Sequence, residues 1–245
     1  MHLLGRANSL PAPPVPSWRY NPVMGAHGRP TTEAIEDYLK GIAQLSPQAG
    51  NTTVGELSGR LAVSPPSATN MIKRMRHMGL VAHAPYGGVA LTPKGRRIAL
   101  EIIRHHRLWE LYLARRLGLP LSRVHDEAER LEHVLSDEME ARLETLLGRA
   151  SHDPHGHPIP GRDGSVGRGP EGRRLSELGR SEGGTVVAVS DRSTGEVRAL
   201  EKLGLLPGVR VRMKPAGFGS SVLTVQVGRR SRRVPRVIAE LVQVM

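Results

Sequence analysis

Two consecutive prolines, Pro65 and Pro66, narrow the folds open to this chain at once. Inside a helix, proline removes a backbone donor and clashes with the preceding turn; in the first turn it costs nothing. With Ser64 as the cap, a helix begins at 65, and no upstream helix runs through this point. That helix carries Ala68, Ile72, Met75 and Met78 on one face and stops at Gly79. Upstream, Val54, Leu57 and Leu61 mark a short helix. A longer one, capped by Thr31 or Thr32, presents Ile35, Tyr38, Leu39, Ile42 and Leu45 before Pro47 and Gly50 end it. Downstream, residues 80–91 read as two short strands around Tyr86-Gly87-Gly88. Helix, turn, helix and β-hairpin in this order make a winged helix-turn-helix.

Such a domain reads DNA from the N-terminal part of its last helix, where small polar side chains reach base edges. Ser64, Pro66, Ser67, Thr69 and Asn70 stand there, with Lys73, Arg74 and Arg76 following and Lys94, Arg96 and Arg97 beyond the hairpin to meet phosphates. The formal net charge of +12 points the same way, toward an anionic partner. Double-stranded DNA is the expected partner.

Thr92-Pro-Lys-Gly opens a long helix through Ile98, Ile102, Leu108 and Leu111 to about Leu117, carrying His105, His106 and Glu110. Gly118-Leu-Pro120 breaks it. The next helix, from about Ser122, holds four potential metal ligands: His125, Glu129, Glu132 and His133. On a continuous helix they span an arc of about 100°, beside an apolar stripe of Val124, Ala128, Leu131 and Leu135. The same spacing also describes a plain solvated face with weak ion pairs. The chain has no cysteine, so any metal must be held by His, Asp or Glu. Helix continues through Met139, Leu143 and Leu147.

Residues 153–174 are rich in Gly and Pro and read as a flexible linker whose histidines (His155 and His157, with His152 just before) are poor candidates for a metal. Beyond it, strand signals at Thr185–Val189, Val209–Met213, Val222–Val227 and Leu241–Val244 suggest a small bent sheet or barrel. Residues 1–30 read as a disordered tail with Met24 as an alternative start. No apolar run is long enough to span a membrane, and a cytoplasmic location is expected. The expected class is α+β, with a DNA-binding domain over 31–98, a helical metal-binding and dimerisation domain over 99–152, and a small β-barrel over 175–245.

The order of these parts resembles the diphtheria toxin repressor and manganese transport regulator family of metal-dependent transcriptional repressors. The resemblance is carried by Thr31-Thr-Glu with Glu36-Asp-Tyr-Leu, Met78-Gly-Leu-Val with Leu91-Thr-Pro-Lys-Gly, and His106-Arg-Leu. The run from Val124 to Glu138 and His157-Pro-Ile-Pro-Gly161 carry it further. Leu200-Glu-Lys-Leu-Gly-Leu-Leu-Pro-Gly208 is similar, more weakly, to the ferrous-transport-A-type SH3-like domain of family members. The resemblance implies a main metal site of Asp37, His106, Glu129, Glu132 and His133, and an ancillary one of His106, Glu110 and His125, with Glu196 as a further ligand from the SH3-like domain. It also implies a homodimer, built from apolar residues of the helices around 107–117 and 124–147, on a palindromic operator controlling metal uptake.

This chain departs from that pattern in one place. Manganese-responsive members can carry another first-helix carboxylate where it has Lys40, which argues against a tightly shared pair of manganese ions. Iron-responsive relatives use sulfur ligands at the positions of Asp37 and Glu129. Carboxylates at both favour Mn²⁺ as effector, with Fe²⁺ tolerated. The expected mechanism is allosteric: without a cation the acidic groups repel and let the helices part. An enzyme is disfavoured, since the His125 run lacks the second histidine of a zinc-protease helix and the paired Glu-x-x-His of di-iron bundles. A winged-helix regulator with a non-metal effector remains the alternative, as does an Fe²⁺-responsive one.

Overall fold

The computed structural model describes residues 31–46, 50–84, 88–169, 171–214 and 221–245. The expected tail over 1–30 and the hairpin residues Tyr86 and Gly87 lie outside these. The winged helix consists of α1 (Glu33–Leu45), α2 (Val54–Arg60), α3 (Pro65–His77), β1 (Val81–Ala84) and β2 (Gly88–Leu91). Thr53 caps α2 reciprocally with Glu56, and Ser64 caps α3 by accepting from the Ser67 amide. β1 and β2 pair antiparallel, and Thr52 adds an isolated antiparallel bridge to Val89 of β2. Ile35, Leu39, Ile72 and Met75 are fully buried in one core, while Leu45, at the end of the expected face, is 36% exposed because α1 ends there.

The long helix α4 (Pro93–Arg115) joins this domain to the next. Ala99 and Ile103 belong to the winged-helix core, and Leu108 and Leu111 to a second core with Leu147 and Ile159. α5 (Leu121–Leu131) ends sooner than the pattern suggests; Glu132–Val134 form a 3-10 turn, and Ser136 caps a separate helix, α6 (Asp137–Leu147).

The segment expected to be a flexible linker packs instead. Asp153, His155 and Ile159 are buried, and the Pro158 and Pro160 carbonyls accept from Arg107 (2.5 Å) and Arg104 (2.7 Å) on α4. Composition misleads here because glycine and proline also serve tight turns. At Gly156 φ is +93°, and a methyl would strike the Val187 carbonyl of the neighbouring domain.

The C-terminal domain is a six-stranded antiparallel sheet of order β3-β8-β4-β5-β6-β7. Its strands are β3 (Arg173–Arg174), β4 (Gly183–Val189), β5 (Arg210–Met213), β6 (Val222–Val227), β7 (Arg230–Pro235) and β8 (Val242–Val244). The four strands expected from apolar density are present. β7, Arg-rich and at the sheet edge, is an addition that apolar density could not announce. So is the helix α7 (Thr194–Leu203), capped by Ser193 and packed against α5. A last short helix, α8 (Arg236–Ala239), precedes β8. Among the described residues no helix is long and apolar enough to cross a membrane.

One buried ion-pair network ties α4 to α6. Arg104 Nε lies 2.5 Å from Glu140 Oε1, and Arg162 Nη2 lies 3.0 Å from Glu140 Oε2. Burial alone would raise the Glu140 pKa, but His105 and the two arginines overcome this and hold it at about 2. A depressed carboxyl stabilises the fold fully above its unfolded value of 4.5 and loses that contribution as pH falls toward about 2. Glu140→Gln should therefore be less stable than the parent at neutral pH, with the difference shrinking across that window. Urea unfolding midpoints between pH 7 and 2 check this, and parallel profiles would count against it.

Candidate metal centre and DNA-reading helix

α3 buries Ala68, Ile72 and Met75 at helical spacing, which leaves Ser64, Pro66, Ser67, Asn70, Lys73 and Arg74 exposed and Thr69 partly so. The Ser64 and Ser67 hydroxyls lie 2.9 Å apart, and Thr69 donates to the Pro65 carbonyl at 2.8 Å. Asn70, Lys73 and Arg74 thus form the open face of the helix.

The expected metal ligands are brought together from four pieces of chain. Asp37 comes from α1, His106 and Glu110 from α4, His125 and Glu129 from α5, and Glu132 and His133 from the 3-10 turn. The early end of α5 divides the donors that a continuous helix would have placed on one arc. His125 and Glu129 group with His106, whereas Glu132 and His133 group with Asp37; within each group the donor atoms lie within 4.8 Å of one another. Glu132, fully buried, ties the groups together, with Oε2 2.5 Å from His106 Nδ1. His133 links back to α1: Nε2 is 3.0 Å from Asp37 Oδ1 and Nδ1 is 2.7 Å from Glu36 Oε2. Burial lowers the His133 pKa, but these two carboxylates outweigh it and raise it to about 10. Glu36 is 5% exposed and was not among the expected ligands; its place beside Asp37 on the entry turn of α1 was the available signal.

The second expected group also assembles. His106 Nε2 is 3.1 Å from both Glu110 Oε1 and His125 Nδ1, and His125 Nδ1 is 3.4 Å from Glu110 Oε1. Burial pushes the His106 pKa down, but mainly Glu110 raises it to about 9. Reciprocally, the Glu110 carboxyl sits well below its ordinary value despite complete burial.

Glu196 is not drawn into any of these groups. It lies in the first turn of α7 and accepts from the Ser190 hydroxyl at 3.1 Å. The SH3-like domain instead brings Asp191, whose Oδ2 is 3.3 Å from His157 Nδ1. Asp153 stands between two further groups of donors, one with Glu110 and His155 and one with His157 and Asp191. Asp153 Oδ1 accepts the backbone amides of His155 (2.8 Å) and His157 (2.9 Å), which pins the loop. His152, by contrast, is exposed. The Asp-x-His-x-His spacing was legible, but its composition hid the rigidity.

The donor chemistry fits a divalent cation. Every candidate ligand is a carboxylate or an imidazole, suited to Mn²⁺ or Fe²⁺. Beside His106 and His125, the buried Glu110 Oε2 and His155 Nδ1 face each other at 3.6 Å, and Asp153 Oδ2 lies 3.4 Å from Arg107 Nε, while the buried His155 Nε2 has no hydrogen-bond partner among the described residues and could serve as a ligand atom. At the main site a positive charge is already in place. Lys40 Nζ donates to Glu129 Oε1 at 2.5 Å and to Glu132 Oε2 and Oε1 at 2.7 and 2.9 Å, and lies 3.2 Å from His106 Nδ1. The expected repulsion between bare carboxylates is therefore absent from this structure.

Comparison with known proteins agrees with the fold. The model of the iron-dependent repressor N-terminal DNA-binding domain matches residues 30–89, that of the iron-dependent repressor metal-binding and dimerisation domain matches 92–161, and the FeoA domain model matches 173–245. The chain is 31% identical over 224 residues to the iron-dependent repressor IdeR of Mycobacterium leprae, covering 86% of this chain and 96% of that protein. It is 33% identical to IdeR of Mycobacterium tuberculosis over the same extent. A solved structure described as a manganese-dependent transcriptional repressor in complex with manganese superposes with a TM-score of 0.76 at 34% identity, covering 86% of this chain and 99% of that one. These relatives are DNA-binding repressors rather than enzymes. With a winged helix, a helical domain lined by carboxylates and imidazoles, and an SH3-like domain in matching order, this chain belongs to the iron-dependent repressor family of metal-dependent transcriptional regulators.

Proposed function

We propose that this protein is a Mn²⁺-responsive repressor of metal-uptake genes that binds a palindromic operator as a homodimer. The observation that carries this reading is the convergence of Asp37, His106, Glu129, Glu132 and His133 where the first helix of the DNA-binding domain meets the helical domain. A bound divalent ion would supply positive charge to carboxylates on both sides of that junction. Asp37 and Glu36 hold α1 to His133, and Glu132 holds the 3-10 turn to α4, so these side chains set how α3 is carried relative to the helical domain. In a dimer that angle sets the spacing of two recognition helices, which must match two half-sites. Leu117, Met139 and Leu146, exposed on the helical domain, supply apolar surface for the second copy.

The choice of Mn²⁺ rests on the sulfur-free donors, and similarity to both iron- and manganese-named repressors keeps Fe²⁺ as the second reading. Glu110, Asp153 and His155, joined at their edge by His157 and Asp191, are the better-assembled candidates for a second ion than a set that includes Glu196. The test is fluorescence anisotropy of a labelled palindromic duplex from a metal-uptake promoter, with chelator, Mn²⁺ or anaerobic Fe²⁺. Mn²⁺ should tighten binding by roughly tenfold or more, within the usual range of allosteric coupling. Equal affinity in chelator and in metal would overturn the proposal.

A further inference from the structure

Lys40 is one turn on from Glu36 in α1 and is 4% exposed, a rare environment for an ammonium group. Burying such a charge is costly unless good partners surround it. Here they do: Glu129 and both oxygens of Glu132 accept hydrogen bonds from it, and His106 stands against it. Glu129, Glu132 and His106 are also three of the five donors proposed for the main metal site. The Lys40 ammonium sits at their point of convergence, and two cations cannot share these oxygens at contact distance.

We propose that Lys40 is a built-in competitor of the effector ion: a tethered cation that balances the main site and must withdraw for that site to take a divalent metal. This rests on the metal-responsive reading above and adds to it the residue that sets the threshold. Two consequences separate Lys40 from an ordinary buried ion pair. First, the carboxylates of α5 and the 3-10 turn remain joined to α1 by Lys40 itself, so the junction is charge-balanced before the effector arrives. The effector exchanges one cation for another rather than creating the junction. Second, the apparent affinity of the main site is reduced by the fraction of time that Lys40 spends in it. The lysine stem suits this role, since it is flexible, carries a compact point charge and can move its ammonium out to water. The Glu110, Asp153 and His155 group receives no Lys40 contact and should not feel this competition.

The test uses the full chain with Lys40→Met, which keeps the stem and removes the charge, and Lys40→Arg, which keeps a charge. Mn²⁺ binding is followed by electron paramagnetic resonance of the free ion. Lys40→Met should tighten one class of site by roughly 10- to 100-fold, the factor expected of an occupant present about 90–99% of the time, and leave any second class unchanged. Its unfolding midpoint in chelator should fall, and its stabilisation by saturating Mn²⁺ should exceed that of the parent. Lys40→Arg should bind Mn²⁺ no more tightly than the parent. Parent and Lys40→Met binding Mn²⁺ equally well would overturn the competitor role, whereas no Mn²⁺ binding by either would overturn the proposed function itself. Should Lys40→Met not fold, the parent protein still decides. ¹⁵N spectra of lysine ammonium groups in chelator should show one slowly exchanging signal that disappears with one equivalent of diamagnetic Cd²⁺. The absence of such a signal, or its persistence once Cd²⁺ is bound, would overturn the inference.

Discussion

Glu132→Gln should abolish metal-responsive DNA binding while leaving the DNA-reading domain folded. Glu132 is fully buried, and its two oxygens reach Lys40 at 2.9 and 2.7 Å and His106 at 2.5 Å. Among the described residues it is the one carboxylate that contacts donors of both groups around the junction. The amide keeps the volume and removes the charge, so packing is preserved while an anionic donor is lost. Outer partners of metal ligands are commonly worth 10- to 100-fold in affinity, so loss of a ligand itself should cost about 100-fold or more. Mn²⁺ titration by calorimetry and duplex anisotropy with and without Mn²⁺ measure the two halves of the claim, and far-UV circular dichroism monitors the fold. Metal-responsive binding that survives at the parent level would remove Glu132 from the site. The glutamine also leaves Lys40 facing a single carboxylate, so some loss of stability in chelator should accompany the change.

Gly95→Ala should damage the DNA-binding domain without touching any proposed ligand. Gly95 lies in the first turn of α4, where it donates to the capping hydroxyl of Thr92. A methyl at this position would overlap the Leu80 carbonyl oxygen and press on Leu39, a fully buried residue of α1. Backbone cannot yield as a flexible side chain can, because Leu80 also anchors the start of the hairpin through its bond from the Thr92 amide at 3.0 Å. Overpacking of this kind costs about 1–3 kcal/mol, and the backbone location places it toward the upper end. A loss of about 3 kcal/mol corresponds to a fall in Tm of roughly 6–12 °C for a chain of this size. Differential scanning calorimetry reads the shift, and an unchanged midpoint would show that α4 can move away from the hairpin. Because the same helix carries His106 and Glu110, any such movement should also appear as weaker Mn²⁺ binding.

The winged helix was legible because its signals are local. Ser64 caps a helix whose first turn tolerates Pro65 and Pro66, and Gly79 and Thr92-Pro93 punctuate the chain with little help from tertiary contacts. Most of the apolar face of α1 was likewise readable, since periodicity alone selects Ile35, Tyr38, Leu39 and Ile42. Residue types also limited the chemistry of the site. Without cysteine, and with carboxylates at Asp37 and Glu129, the available donors were oxygen and imidazole from the outset.

Other features depended on who packs against whom. The run from His125 to His133 has one helical pattern, yet the chain changes to a 3-10 turn at Glu132 and so sends its last two donors toward α1 and α4. The stretch from Asp153 to Pro160 has the composition of a linker, but the arginines of α4 capture its carbonyls and His155 is buried beside Glu110. The SH3-like domain contributes Asp191 rather than Glu196 to the donor groups, a choice made by how the loop before α7 meets the 153–157 segment. By sequence, Lys40 was only a missing ligand. Tertiary structure places its ammonium where the carboxylates meet, because the buried Glu132 needs a cation and Lys40 on α1 reaches both it and the half-exposed Glu129. The sequence alone thus determined the elements of the winged helix and the kinds of donor. The tertiary structure decided which donors share a cation, because charge balance in a buried space depends on every element that reaches it.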